Sequence, residues 1–83
     1  MNKVLVTIYL PLISEKYDVW IPVNKKLYNV IILLTKGVNE INSQYYQMKK
    51  IPIMYNKLTG ISYDLNCYVK DTDISNGTEI ILI

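Results

Sequence analysis

The 83-residue chain contains no arginine, histidine, phenylalanine or alanine, and it has a single cysteine. Histidine is the usual general base near neutral pH and the commonest metal ligand, so its absence removes the side chain on which most such sites depend. The one cysteine, Cys67, cannot form an internal disulfide or supply a zinc site by itself, which excludes a small scaffold held by disulfides. With no base nearby to form its thiolate, Cys67 is expected to be a partly buried, unreactive thiol.

The nine basic residues are all lysines, and they are spread along the chain. Adjacent lysines occur at Lys25 with Lys26 and at Lys49 with Lys50, a pattern typical of a solvated surface and not of a continuous basic stripe. Arginine, the side chain best suited to bidentate contacts with phosphates and base edges, is missing. With a net charge of +2, the sequence predicts no nucleic-acid partner.

Long hydrophobic runs are also missing. The longest extends from Val30 to Leu34, whereas a membrane helix needs roughly 20 apolar residues. The N-terminus lacks the charged and apolar regions of a secretion signal. We therefore expect a soluble, cytoplasmic protein that does not insert directly into a membrane. Its 83 residues, of which 51% are hydrophobic, are enough for one small domain covering residues 1–83.

One helix is predicted between Asn24 and Gly37. Asn24 is a favourable N-cap residue, and glycine commonly ends a helix in the left-handed conformation. Ile32 and Leu33 interrupt the polar side of this helix, so they form an exposed apolar pair or a second buried side. The side that faces the core is predicted from the i, i+3, i+4, i+7 spacing of Leu27, Val30, Ile31 and Leu34.

Two strands are predicted before the helix. Apolar residues alternate with other residues from Val4 to Leu10 and again from Tyr17 to Val23, which is the period of a strand. Pro11 ends the first strand, and Pro22 is expected at the end of the second or on an exposed edge because it cannot donate a ladder hydrogen bond. The pair predicts an antiparallel hairpin.

The region after the helix is less regular. Residues 38–50 have neither period cleanly and are predicted as a helix tail followed by a loop. A short strand is predicted at Ile51–Tyr55, with Ile51 and Ile53 on one side and Met54 on the other. Pro52 within it predicts a bulge or a missing ladder bond.

Two further strands are predicted near the C-terminus. Ile61–Leu65 alternates and follows a turn at residues 56–60, so it is expected to be a short edge strand. Residues 66–72 are expected to be irregular. The Asn76-Gly77 pair predicts a tight turn into a last strand of aliphatic residues that ends at Ile83.

Two acidic residues near this turn, Asp71 and Asp73, are the candidates for a cation site. No third acid and no regular ligand series accompanies them, whereas Asp before an Asn-Gly pair is common turn chemistry. Single glycines at turns also give no phosphate-binding loop. We therefore expect no metal, no cofactor and no enzymatic activity.

The order of elements predicts an α+β roll in which a mixed sheet packs on one main helix. The hairpin of residues 4–23, followed at once by the helix, and the stretch 69–80, VKDTDISNGTEI, resemble the ubiquitin-like β-grasp. Within it, the chain is similar to the YukD/EsaB group, small stand-alone proteins associated with type VII (WXG-type) secretion in low-GC Gram-positive bacteria. The residues that carry this similarity are Tyr17-Asp18-Val19, Ile21-Pro22, Asp71, Ile74 and Asn76-Gly77.

The resemblance implies a non-enzymatic protein-interaction module that acts as an accessory or regulatory factor of type VII secretion. Its partners would be secretion-machine proteins or a second copy of the chain. A related domain forms the cytosolic part of a membrane component, so the second hypothesis is a cytosolic ubiquitin-like oligomerisation domain of a larger membrane-bound secretion protein. A third is a sulfur carrier or protein modifier. The chain lacks the di-glycine tail of that class, so we expect that it is not conjugated.

The alternation of side chains along the predicted strands places a second set of apolar residues on the outer face of the sheet, the face away from the helix. Aromatic residues and methionine are enriched at interface cores, and ubiquitin-like folds commonly bind partners with this face. One alternative is that the apolar residues of the outer face are ordinary exposed side chains, with Trp20 packed on the edge of the core. Another is that Ile32 and Leu33 of the helix bind the partner instead. The candidate partner-binding residues are Leu5, Tyr9, Trp20, Met54 and Ile81.

Overall fold

The computed structural model describes residues 2–41 and 52–83. The strands that they contain form a mixed sheet in the order β2-β1-β4-β3, in which β1 and β4 are parallel and the other neighbours antiparallel. The α+β prediction of a mixed sheet with a helix is confirmed. The elements are β1 (Lys3–Leu10), β2 (Glu15–Pro22), α1 (Leu27–Ile41), β3 (Met54–Asn56) and β4 (Glu79–Leu82), with short 3-10 turns at Pro11–Ile13 and Val69–Asp71.

The predicted hairpin is present and is slightly longer than expected. β1 and β2 pair from Lys3 opposite Pro22 to Leu10 opposite Glu15. The connection is the 3-10 turn that begins at Pro11, and Ser14 leaves it at a φ of 53°. Pro22 is the last residue of β2, at the strand end where its missing N–H does least harm.

The core lies between one face of the sheet and α1. Every second residue of β1 is buried from Val6 onward, and Leu27, Val30 and Ile31 of the predicted helix stripe are buried against them, with Leu34 partly buried. Burial of this apolar surface is the main stabilising contribution for a domain of this size. The remaining buried hydrophobic residues are Ile8, Leu10, Ile21, Met54, Val69, Ile74, Ile80 and Leu82.

The predicted start of the helix at Asn24 is wrong, because α1 begins at Leu27. The first helical N–H groups need acceptors, and the loop before the second 3-10 turn supplies them. Leu27 donates to the carbonyl of Cys67 at 2.9 Å, and Tyr28 donates to the carbonyl of Leu65 at 3.0 Å. Since backbone carbonyls from a distant loop satisfy these groups, a side-chain cap by Asn24 is not needed.

The predicted end of the helix at Gly37 is also wrong, because α1 continues to Ile41. A glycine inside a helix costs only about 1 kcal/mol relative to alanine, and the apolar spacing from Leu34 continues through Val38 and Ile41 in the sequence. The predicted helix tail is therefore confirmed up to residue 41. The predicted loop at 42–50, and Ile51 of the predicted strand, lie outside the described residues.

The strand predicted at Ile51–Tyr55 is shifted towards the C-terminus and has the opposite parity. β3 is Met54–Asn56, and Pro52 lies before it, so no bulge at the proline arises within the strand. Met54 pairs with Leu82 and is 0% exposed, whereas Ile53 is exposed. Pairing with the alternating residues of β4 decides which side of β3 faces the core, and a one-residue shift reverses that side.

The predicted edge strand at Ile61–Leu65 is reduced to a single bridge between Ser62 and Tyr55. The segment still follows the edge of β3, since Asn56 donates to the carbonyl of Ile61 at 3.0 Å and Tyr63 donates to the carbonyl of Met54 at 2.9 Å. The next region, predicted as irregular, contains the 3-10 turn at Val69–Asp71.

The predicted turn into the last strand is confirmed. Gly77 has a φ of 89°, a conformation that a glycine adopts without strain. Its N–H donates to the carbonyl of Leu5 at 2.8 Å, and the Asn76 Oδ1 accepts the N–H of Leu5 at 2.8 Å. Both turn residues therefore fix the start of β4 against β1.

Candidate protein-interaction surface

The outer face of the sheet, opposite α1, is the candidate functional surface. Pairing places Leu5 next to Trp20, and it places Ile81 between Tyr9 and Tyr55. Paired residues on neighbouring strands point to the same side. These five residues are called the outer sheet face below. Trp20 is the most exposed of them, at 51% of its surface, while the others are partly buried against their neighbours.

Four of the five residues predicted for this face lie on it. The exception is Met54, which is fully buried in the core and cannot contact a partner. Tyr55 takes its place, opposite Ile81; the sequence pattern does not predict Tyr55 for this face, because the alternation expected for β3 is one residue out of step with its pairing. The residue type does favour Tyr55 for the exposed face, because tyrosine has a higher strand preference than methionine and a polar hydroxyl that suits contact with water.

Charged side chains hold Tyr9 in place on this face. The Tyr9 hydroxyl donates to Glu79 Oε1 at 3.1 Å, and Lys57 Nζ lies 3.7 Å from Glu79 Oε2. The same Lys57 Nζ lies 4.8 Å from the centroid of the Tyr9 ring, in the range of a cation–π contact. An exposed ion pair of this kind adds about 0–1 kcal/mol, so its main effect is to orient the aromatic ring.

A second polar contact lies between the two apolar parts of the face. Thr7 Oγ1 donates to Asp18 Oδ1 at 2.7 Å across the β1–β2 pair. The Leu5–Trp20 pair lies on one side of it, and the Tyr9–Ile81–Tyr55 row lies on the other side across the sheet. The outer sheet face thus alternates apolar side chains with hydrogen-bonded polar ones.

The rival surface on the helix is exposed as well. Ile32 is 47% exposed and Leu33 is 57% exposed. Leu33 also lines a groove of about 530 Å³ between β2 and α1, and Trp20 lines the same groove from the strand. Trp20 therefore belongs to the outer sheet face and also borders the groove that Leu33 lines.

A polar cluster around the buried Asn56 supports the loop beside β3. Asn56, which is buried, donates from Nδ2 to the Tyr63 hydroxyl at 2.9 Å, and this hydroxyl donates to Asp73 Oδ1 at 2.8 Å. The Asn56 Oδ1 also accepts the N–H of Leu58 at 2.9 Å and that of Thr59 at 3.2 Å. Because Asp73 already accepts the Tyr63 hydroxyl, it performs a structural role here.

This cluster predicts a loss of stability at high pH. Burial, together with the hydrogen bond to Asp73, raises the pKa of Tyr63 to about 12, while the bond from Asn56 acts in the opposite direction. In the unfolded chain a tyrosine has a pKa of about 10. The stabilisation by the neutral hydroxyl is therefore complete below about pH 10 and is lost as the pH rises towards 12.

The Tyr63→Phe variant should be less stable than wild type near pH 8, because Asn56 and Asp73 lose a partner. Its deficit should shrink above pH 10, because phenylalanine does not ionise. Urea unfolding at several pH values between 8 and 12 measures both quantities. A deficit that stays constant over this range would contradict the assignment.

Three further observations concern the described residues. No group of three or more His, Cys, Asp or Glu side chains in residues 2–41 and 52–83 is arranged to hold a metal ion. Cys67 is a free, partly buried thiol. None of the helices in the described part of the chain is long and apolar enough to cross a membrane.

No protein-family model and no curated protein matches the chain. Solved structures do match it. The ubiquitin-like domain of the Mycobacterium tuberculosis type VII secretion system protein ECCD1 has a TM-score of 0.77 and 13% identity, over 100% of this chain and 99% of that one. The EccD5 ubiquitin-like domain from Mycobacterium xenopi has a TM-score of 0.78 and 16% identity, over 100% and 94%.

The chain has the ubiquitin-like β-grasp fold. A chain of the MycP5-free ESX-5 inner membrane complex matches it with a TM-score of 0.80 and 12% identity, and this protein spans 21% of the length of that chain. The same fold occurs in a chain of a toluene 4-monooxygenase complex, with a TM-score of 0.80 and 8% identity. At such identities the likeness shows the fold alone, and the function has to be argued from the surface.

Proposed function

We propose that this chain is a ubiquitin-like protein-interaction domain that works with a type VII secretion machine and performs no catalysis. The observation that carries the proposal is its full-length likeness to the ubiquitin-like domain of ECCD1, with 100% and 99% of the two chains covered. A fold shared with many proteins does not determine function, so the second support is the apolar outer sheet face.

The chemistry of this face suits protein binding. Trp20 and Tyr9 are of the types that most often carry the binding free energy of an interface. Tyr9 is oriented by Glu79 and Lys57 before a partner arrives, which lowers the entropy lost on binding. We propose that Trp20 and the Tyr9–Ile81–Tyr55 row contact the partner.

More specifically, we propose a cytoplasmic accessory or regulatory factor of the YukD/EsaB type from a Gram-positive bacterium. The resemblance to that group of Tyr17-Asp18-Val19, Ile21-Pro22, Asp71, Ile74 and Asn76-Gly77 supports this role. The proposal also includes that the protein is not conjugated to others. Its glycines, Gly37, Gly60 and Gly77, are all isolated in the sequence, so the 83 residues offer no di-glycine motif.

The second candidate is the cytosolic ubiquitin-like domain of a larger secretion component. The match to about a fifth of the length of a chain in an inner membrane complex favours it. The two candidates share the binding surface and differ in the size of the protein that carries it. Immunoblotting of native cells distinguishes them, because the accessory factor has a mass of about 9.7 kDa and the domain of a membrane protein has a larger mass and sediments with membranes.

The experiment that tests the proposal is capture of the tagged chain from cells that secrete through a type VII system. We expect a type VII component to be retained without a covalent bond, and intact-mass spectrometry of the bait to give the unmodified chain. A bait that retains no secretion component under conditions where the machine is assembled would contradict the secretion assignment. An isopeptide-linked or thiocarboxylated bait would contradict the non-conjugated role.

A further inference from the structure

The two edge strands of the sheet differ in whether another segment bonds to their outer edge. β3 lies at one edge, and the segment around Ser62 follows it, with backbone hydrogen bonds between Asn56 and Ile61 and between Tyr63 and Met54. β2 lies at the other edge. Within residues 2–41 and 52–83, no backbone group bonds to that outer edge of β2. An edge strand that is neither covered nor twisted away pairs readily with another strand.

The hydrogen-bond pattern shows which groups of β2 face outward. The Thr7 N–H donates to the carbonyl of Thr78 at 3.0 Å, and the Leu5 carbonyl accepts from Gly77 at 2.8 Å, so the odd-numbered residues of β1 bond towards β4. The even-numbered residues of β1 therefore bond to β2, where their partners are odd-numbered. The N–H and C=O groups that point away from the sheet are those of Lys16, Asp18 and Trp20.

An apolar groove runs beside this edge. It occupies about 530 Å³ between β2 and α1, and Tyr17 and Val19 line it from the strand while Leu33 and Leu34 line it from the helix. Leu33 is more than half exposed. A strand added to β2 would gain backbone hydrogen bonds and would cover part of this groove.

The charges on β2 indicate which strand fits. We propose that β2 pairs antiparallel with β2 of a second copy of this chain, with the two Tyr17 residues opposite each other at the two-fold axis. This register places Lys16 opposite Asp18 of the second copy, and the symmetry repeats the pair. In each Lys16–Asp18 pair, the N–H and C=O groups that point away from the sheet form backbone hydrogen bonds with the other copy. The opposite charges of the two side chains attract across the dimer interface.

Neighbouring registers are less favourable. Outward groups must meet outward groups, so the strands shift by two residues at a time. One shift places Asp18 opposite Asp18 of the second copy, where like charges repel. The other places Lys16 opposite Lys16 of the second copy, where like charges repel as well. The Tyr17 register alone pairs opposite charges and also places an aromatic pair beside the groove.

The joined sheet has both helices on the same side. The two-fold axis is perpendicular to the sheet, so the grooves of the two copies lie on the same side of the joined sheet, each lined by Leu33 of its own helix. This interface uses the edge of the sheet and leaves most of the outer sheet face accessible. It therefore does not depend on the proposed function, and either can fail without the other.

The test is the mass of the purified chain in sedimentation equilibrium over a range of concentrations. We expect a monomer–dimer equilibrium for the wild type. Lys16→Asp leaves only acidic residues at the paired positions, and Asp18→Lys leaves only basic ones, so each variant should weaken dimerisation at least tenfold. An equimolar mixture of the two variants should restore the dimer, because each acidic position then meets a basic one.

Two controls separate pairing from folding. Asp18 accepts a hydrogen bond from Thr7 Oγ1, so Thr7→Val removes that bond without changing the charges and should dimerise like wild type. Lys16→Pro removes an outward N–H together with the lysine side chain, leaves the hydrogen bonds between β2 and β1 in place, and should give a folded monomer even where the charge variants fold poorly. A wild-type chain that stays monomeric, a mixture that stays monomeric, or a Lys16→Pro variant that still dimerises would each overturn the proposal.

Discussion

The Ile31→Ala variant is expected to lose about 2–5 kcal/mol of unfolding free energy, as buried large-to-small changes do. Ile31 is 1% exposed and lies on the stripe of α1 that packs on the sheet. Removing its side chain leaves a cavity among residues that cannot close around it, because the sheet pairing fixes the facing strands. Urea unfolding followed by circular dichroism measures the loss.

The matched control is the next residue of the same helix. Ile32 is 47% exposed, so Ile32→Ala removes the same atoms from a site that remains largely in water. Its effect should stay within about 0.5 kcal/mol, as for most surface substitutions. Equal losses in the two variants would mean that the helix presents a different side to the sheet.

The second large effect concerns the parity of β3. Met54→Ala should cost about 2–5 kcal/mol, because Met54 is fully buried opposite Leu82. Tyr55→Ala should cost far less, of the order of a cross-strand pair, about 0.2–1 kcal/mol, because Tyr55 lies on the outer sheet face. The same unfolding experiment compares them. A larger loss of unfolding free energy for Tyr55→Ala would mean that Tyr55 faces the core and that Met54 lies on the surface.

The sequence predicts much of this fold because the strand period of two residues and the helix period of about 3.6 residues are easily told apart. Alternation at Val4–Leu10 and at Tyr17–Val23 locates the hairpin, and the spacing of Leu27, Val30 and Ile31 locates the buried side of α1. These patterns are direct consequences of burying one face of a strand or a helix. The tight turn at Gly77 is equally local, since the residue type itself permits the positive φ.

The predictions that failed depend on distant contacts. The start of α1 is determined by the carbonyls of Leu65 and Cys67, which no local pattern around Asn24 reveals. The parity of β3 is determined by its pairing with β4, and three residues are too few for an alternation to be read. The residue type alone predicts that the helix ends at Gly37, but a glycine is tolerated inside a helix whose apolar spacing continues.

The candidate site was partly predictable for the same reasons. Residues of long strands, such as Leu5, Tyr9 and Trp20, were placed on the outer sheet face because their alternation is unambiguous. Tyr55 was missed together with the parity of β3. The polar contacts that orient Tyr9 join residues far apart in the chain, so the sequence contains no pattern that predicts them.

We expect the outer sheet face to bind a secretion component. The most direct measurement is capture of that component by the Trp20→Ser/Ile81→Ser double variant, with Ile32→Ser as the control on the exposed side of α1. We predict that the double variant unfolds at nearly the wild-type temperature and captures nothing, while Ile32→Ser captures as wild type does. Undiminished capture by a folded double variant, with loss of capture in Ile32→Ser, would place the interface on the helix and not on the sheet.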